Sequence, residues 1–123
     1  MQKFVKLGLV LCLGLGVAAT NAHAHAFLDK ATPPVGGTVS TAPTEIRLVF
    51  SEPIVPQFSG LSLTTAGGAS VATGKPTQPP GDKAVLITPI ANALAPGAYQ
   101  VKWHAVSVDT HRTQGSFTFS VGR

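Results

Sequence analysis

Tyr99-Gln100-Val101-Lys102-Trp103-His104-Ala105 alternates without a break, with Tyr99, Val101, Trp103 and Ala105 on one side and Gln100, Lys102 and His104 on the other. A period of two is what a strand shows when one of its faces is buried. Thr44 to Phe50 repeats the rhythm, setting Ile46, Leu48 and Phe50 against Glu45, Arg47 and Val49, before Pro53 and Pro56 interrupt regular pairing. Phe117, Phe119 and Val121 alternate near the end, Leu61 and Leu63 mark a short strand, and Ala84 to Ile90 forms a further run. Apolar residues at helical spacing are missing from every window of useful length. The strand-like segments are separated by Pro33-Pro34, Gly36-Gly37, Gly67-Gly68, Pro79-Pro80-Gly81 and Pro96-Gly97. Short alternating segments with this punctuation predict an all-β domain, an antiparallel sandwich in preference to a small barrel. Thr73 to Asp82 reads as a mobile loop inside that domain, because apolar strands continue on both sides of it.

The N-terminal residues follow a different pattern. Lys3 and Lys6 precede an apolar stretch, Leu7 to Ala19, and Ala22-His23-Ala24 supplies small residues in a small-x-small arrangement. This is the order of an export signal. The stretch is interrupted by Gly8, Gly14 and Gly16 and falls short of the roughly 20 residues that span a bilayer, which argues against a membrane anchor. Residues 1–24 are therefore expected to be a signal peptide and 25–123 a single domain, since removing 24 of 123 residues leaves 99. The exported chain would begin at His25 and reside in the periplasm. The cysteine, Cys12, and the methionine, Met1, both leave with the signal, so a disulfide, a thiolate site or a thioether site is excluded from the mature chain. The formal charge of +4 falls to about +2 when Lys3 and Lys6 are lost, and the remaining basic residues are scattered singly along the sequence. That scatter argues against a nucleic-acid partner.

Cleavage before His25 frees an α-amine on the same residue as an imidazole. The amine and Nδ1 close a six-membered ring around a metal ion, and the amine deprotonates readily because its reference pKa is about 7.7–8.0. Such a nitrogen pair suits Cu(II), which prefers tetragonal N and O surroundings and stands highest in the divalent affinity order. By itself, His25 also fits a frayed first residue. Asp109-Thr110-His111 places a carboxylate and an imidazole two residues apart, on one side of an extended chain. Alone, the same tripeptide fits a turn in which Asp109 bonds nearby backbone amides. Glu52 directly follows an alternating strand, where an acid serves as a solvated strand end or, near a metal, as an axial or hydrogen-bonding neighbour. His104 points away from the core-facing Trp103 and reads as a surface residue.

Beyond these separate features, the chain resembles the CopC family of periplasmic copper-binding proteins. The matching text comprises His25-Ala26-Phe27-Leu28 with Ala31-Thr32-Pro33-Pro34, and Ile46-Arg47-Leu48-Val49-Phe50-Ser51-Glu52-Pro53. It continues from Pro96-Gly97 through Tyr99, Val101 and Trp103 to Val106-Ser107-Val108-Asp109-Thr110-His111 and Gly115-Ser116-Phe117-Thr118-Phe119. The resemblance implies a Greek-key β-sandwich of immunoglobulin-like or cupredoxin-like appearance, with about seven strands. It implies one Cu(II) ion per mature chain, bound by the amine and Nδ1 of His25, an imidazole nitrogen of His111 and a carboxylate oxygen of Asp109. Glu52 falls where the family places an acid close to that site. Some members carry a Met-rich Cu(I) site; without methionine, this mature chain resembles only the Cu(II)-binding subtype.

A non-enzymatic monomeric carrier that sequesters Cu(II), or delivers it to a CopD-like inner-membrane protein, is the function the family resemblance implies. A histidine-brace copper monooxygenase is the enzymatic alternative. It is disfavoured because 99 residues leave little for a substrate platform and no row of aromatics is evident to stack on sugars. A metal-free exported interaction domain is the third alternative.

Overall fold

The computed structural model describes residues 26–122. The expected signal peptide, residues 1–24 with Met1, Cys12 and His23, the expected cut before His25 and His25 itself lie outside the described residues. Eight strands follow in order: β1 (Leu28–Thr32), β2 (Thr38–Val39), β3 (Glu45–Phe50), β4 (Gly60–Thr65), β5 (Ser70–Val71), β6 (Val85–Pro89), β7 (Gly97–Val106) and β8 (Arg112–Val121). They form a three-stranded sheet, β1-β3-β6, and a five-stranded sheet, β2-β8-β7-β4-β5. The chain passes repeatedly between the two layers, and their apolar faces meet in one core, so the all-β sandwich expected from the alternation is the fold observed.

Alternation decides which faces meet. Tyr99, Val101, Trp103 and Ala105 of β7 are buried beside Phe117, Phe119 and Val121 of β8, and Ile46, Leu48 and Phe50 of β3 oppose them from the other sheet. Phe50 meets Trp103 ring edge to ring face, with centroids 5.4 Å apart, while Tyr99 stacks on Phe119 at 5.6 Å. The Tyr99 hydroxyl donates to the Ala95 carbonyl at 2.6 Å, so the buried ring keeps its polar tip satisfied and fixes the entry to β7.

Three features depart from expectation. The short β2 runs parallel to β8, pairing Thr38 with Ser120 and Val39 with Val121. The strands number eight because β2 and β5 add two residues each. The segment from Thr73 to Asp82 is tied down: Gly74 N–H donates to Pro89 O, and Thr77 and Ile87 exchange two backbone hydrogen bonds, each at 2.8 Å. The sequence predicts a mobile loop there because apolar strands continue on both sides, but backbone pairing with β6 satisfies its polar groups and holds it.

Trp103 is paired with Gly115 across β7 and β8. The indole lies directly over that glycine, and a Cβ there would come within 2.7 Å of Cζ2 and 3.1 Å of Nε1. Glycine is therefore required by space at this position. Gly115→Ala should cost about 1–3 kcal/mol of stability through overpacking, read as a lower urea midpoint with altered tryptophan fluorescence; an unchanged midpoint would show that the indole has room to move.

Candidate metal centre

Five residues, Ser107 to His111, connect the two longest strands at one end of the sandwich. The turn closes on itself. Ser107 N–H donates to His111 O at 2.9 Å and Thr110 N–H to Ser107 O at 2.8 Å, while Thr110 takes a left-handed φ of 73°. Ser107 is fully buried, and its backbone also bridges to Ile54 on the chain leaving β3.

Within this turn Asp109 and His111 meet. His111 Nδ1 lies 3.2 Å from Asp109 Oδ1, and both side chains are about half exposed, at 49% and 45%. The Ser107 hydroxyl donates to the same carboxylate oxygen. The two residues do come together, but not by the extended-chain geometry inferred from the sequence. The left-handed Thr110 reverses the chain between them, and Ser107 holds the acid in place.

Electrostatics follow from these contacts. The hydrogen bond from Ser107, and then the one from His111, hold the Asp109 carboxyl below the usual carboxylate range. A folded-state pKa below the unfolded one means that this carboxylate contributes stability above the ordinary carboxylate pKa. That contribution is lost as pH falls through the lowered value. At neutral pH the turn therefore presents a fixed negative oxygen beside an imidazole.

The segment from Ala26 to Phe27 is brought to the same place. The Ala26 carbonyl is buried and accepts from Thr113 Oγ1 at 2.7 Å, two residues beyond His111. Phe27 N–H donates to Ser51 Oγ, and Ser51 N–H returns a bond to Phe27 O, both at 2.8 Å. Ser51 immediately precedes Glu52. Ala26 is thus tied to β8 just beyond His111, and Phe27 to the segment that carries Glu52.

Glu52 is half-buried in the stretch after β3. Its neighbour Pro53 accepts from Val108 N–H at 3.2 Å, and Val55 N–H donates to Val106 O at 2.8 Å. These bonds lay the Glu52 segment along the turn. Among the described residues, no three His, Cys, Asp or Glu side chains stand close enough to hold a metal ion. The described donors are the Asp109–His111 pair, with His25 outside them. His104 is half-buried on the outer face of the larger sheet, at the level of Gly60 and Gln114 and away from the turn. Ser107, Ser51 and Thr113 organise the site without having been singled out from the sequence.

Comparison with known proteins gives a consistent picture. The sequence profile of the CopC domain matches residues 28–122. The chain is 42% identical over 98 residues to protein YobA of Escherichia coli K12, covering 80% of this chain and 79% of that protein. It is 43% identical over 106 residues to copper resistance protein C of Pseudomonas syringae pv. tomato, covering 81% of this chain and 82% of the relative. Among solved structures it resembles PcoC, a methionine-rich copper resistance protein from Escherichia coli. The TM-score there is 0.71 and the identity 35%, covering 80% of this chain and 99% of the other.

Ser107→Ala removes the first donor to Asp109. The Asp109 pKa, followed by carboxyl-carbon NMR, should rise toward the ordinary carboxylate value, whereas a value unmoved from the wild type would show that His111 alone holds it down.

Proposed function

The chain belongs to the CopC family of copper proteins, and from that premise we propose that it carries a single Cu(II) ion at the end of the sandwich where the β7–β8 turn meets the chain start. The ligands are the α-amine and Nδ1 of His25, an imidazole nitrogen of His111 and a carboxylate oxygen of Asp109. One observation carries this reading: Ala26, the residue after His25, is hydrogen-bonded to Thr113 two residues from His111. A chain fixed there has no more than one residue of reach to place its terminal nitrogen beside the Asp109–His111 pair.

The donor set fits the ion. An aspartate is already ionised at neutral pH, and the hydrogen bonds from Ser107 and His111 favour that form of Asp109 further, so no proton has to leave it. The contact through Nδ1 of His111 favours Nε2 as the nitrogen facing the metal, with Asp109 fixing the ring by one oxygen and offering the other. Nitrogen and oxygen donors match the tetragonal preference of Cu(II). Soft Cu(I) has no sulfur to bind once Met1 and Cys12 are removed. Glu52 stands as an axial ligand or as an acceptor for the terminal amine.

On this reading residues 1–24 direct export to the periplasm, cleavage before His25 completes the site, and the monomeric protein sequesters Cu(II) or passes it to a CopD-like inner-membrane protein. Its role is carriage without catalysis.

Adding one residue before His25 converts the terminal amine into a peptide amide and should weaken Cu(II) binding by more than the roughly 10–100-fold typical of losing a supporting hydrogen bond at a metal site. A competition titration against a chelator of known affinity checks this, and equal affinities for the two forms would refute the amine ligand. In the same assay, binding by the correctly processed protein should fall as pH drops from about 8 to about 6, because protons compete for the α-amine, whose reference pKa is about 7.7–8.0. A flat profile over that range would point to oxygen ligands alone.

A further inference from the structure

The five-stranded sheet contains no acidic residue. Its strands carry Lys102, His104 and Arg112, whereas Asp29 and Glu45 lie in the smaller sheet and Glu52, Asp82 and Asp109 in connecting segments. Basic residues that are scattered along the sequence are gathered by pairing. Ser62, Lys102 and Ser116 share one register level, Gly60, His104 and Gln114 the next, and Val106 and Arg112 the one after. All of these levels face away from the core, since the intervening Val101, Trp103 and Ala105 are buried.

The face is hollowed. Ser62, Lys102, His104, Arg112, Gln114 and Ser116 line a shallow open depression of about 610 Å³. At its edge the His104 ring lies over Gly60, its Cε1 3.4 Å from where a Cβ would stand. Among the described residues neither Lys102 nor Arg112 takes part in an ion pair. By contrast, the outer face of β3 presents Glu45 beside Arg47, so its charges are mixed.

Spacing selects the ligand. Lys102 and Arg112 sit two register levels apart, about 13 Å along the strands at roughly 3.3 Å per residue. A single small anion matches one cation at a time, whereas an extended polypeptide with carboxylates four residues apart matches both. The Arg112 end of the depression adjoins His111. We infer that this face is a docking surface for an acidic polypeptide segment of a protein that exchanges copper with this chain, a role that rests on the metal-carrying function proposed above. Docking there brings the partner beside the turn that holds Asp109 and His111, without using either residue for recognition.

The test is an amide NMR titration of the processed, copper-free protein with hexaglutamate at low salt, with inorganic phosphate and phosphatidylglycerol vesicles as separate arms. Hexaglutamate should shift Ser62, Lys102, His104, Gln114 and Ser116. The double variant Lys102→Gln/Arg112→Gln should bind it roughly five- to tenfold more weakly, as the loss of two exposed ion pairs allows, while Lys30→Gln/Arg47→Gln should leave binding unchanged. Shifts spread equally over Lys30 and Arg47, equal losses in both double variants, or a response confined to phosphate or to vesicles would each overturn the inference. Cu(II) affinity of Lys102→Gln, measured in parallel, should match that of the wild type. Absence of copper binding in both proteins would sink the proposed function, while the peptide titration still reports on the docking face.

Discussion

The pairing of β7 with β8, ten residues on each strand held in one continuous register, is the constraint on which the other features hang. Because side chains alternate across a sheet, a slip of one residue would turn Tyr99, Val101 and Trp103 to solvent and bring Lys102 and His104 into the core. That exchange would bury charge and expose the largest rings in the molecule. Trp103 over Gly115 strengthens the choice, since a Cβ at that partner position would come within 2.7 Å of the indole and Gly115 is the glycine of β8. The register in turn fixes the length and shape of the turn from Ser107 to His111, so the packing that stabilises the domain also sets the geometry of the candidate copper ligands.

Small polar side chains then join the two layers at that end. Ser51 follows β3 in the smaller sheet, Thr113 lies in β8 of the larger one, and between them they hold the backbone of Ala26 and Phe27. Ser107 is buried beneath the turn, where its hydroxyl is satisfied by Asp109. A buried hydroxyl without a partner is destabilising, so the hydrogen bond that favours the ionised form of Asp109 also removes a defect from the core boundary. The site's electrostatics and the fold's polar accounting are the same set of contacts.

Alternation made β3, β7 and β8 legible from residue order alone, because each has one face fully committed to the core. The strand β1 was not legible in this way: of Leu28–Thr32 only Ala31 is deeply buried, so there is no period to detect. Two-residue strands such as β2 and β5 carry no pattern at all, and the parallel pairing of β2 depends on where the rest of the chain has already been placed. At the site, residue chemistry singled out Asp109 and His111, but the left-handed Thr110 that joins them and the donor role of Ser107 arise from the turn's closure. The family resemblance located His25 and Glu52 in sequence. The structure brings the segments next to both toward the turn and describes no contact of Glu52 with the Asp109–His111 pair. The basic face was hidden for a related reason, as Lys102 and Arg112 are ten positions apart until a hairpin folds them onto one surface.

The tying of the Thr73–Asp82 segment to β6 has a consequence for how copies of this chain meet at high concentration. An open sheet margin offers unpaired amides and carbonyls to any neighbouring molecule and seeds strand-by-strand aggregation. Here the β6 margin is already occupied by Gly74 and Thr77, and β1 presents the exposed charges of Asp29 and Lys30. The larger sheet ends in β2 and β5, each too short to template another strand. The smaller sheet thus guards both of its margins against strand-by-strand growth, whereas in the larger sheet β2 covers β8 only at Ser120 and Val121.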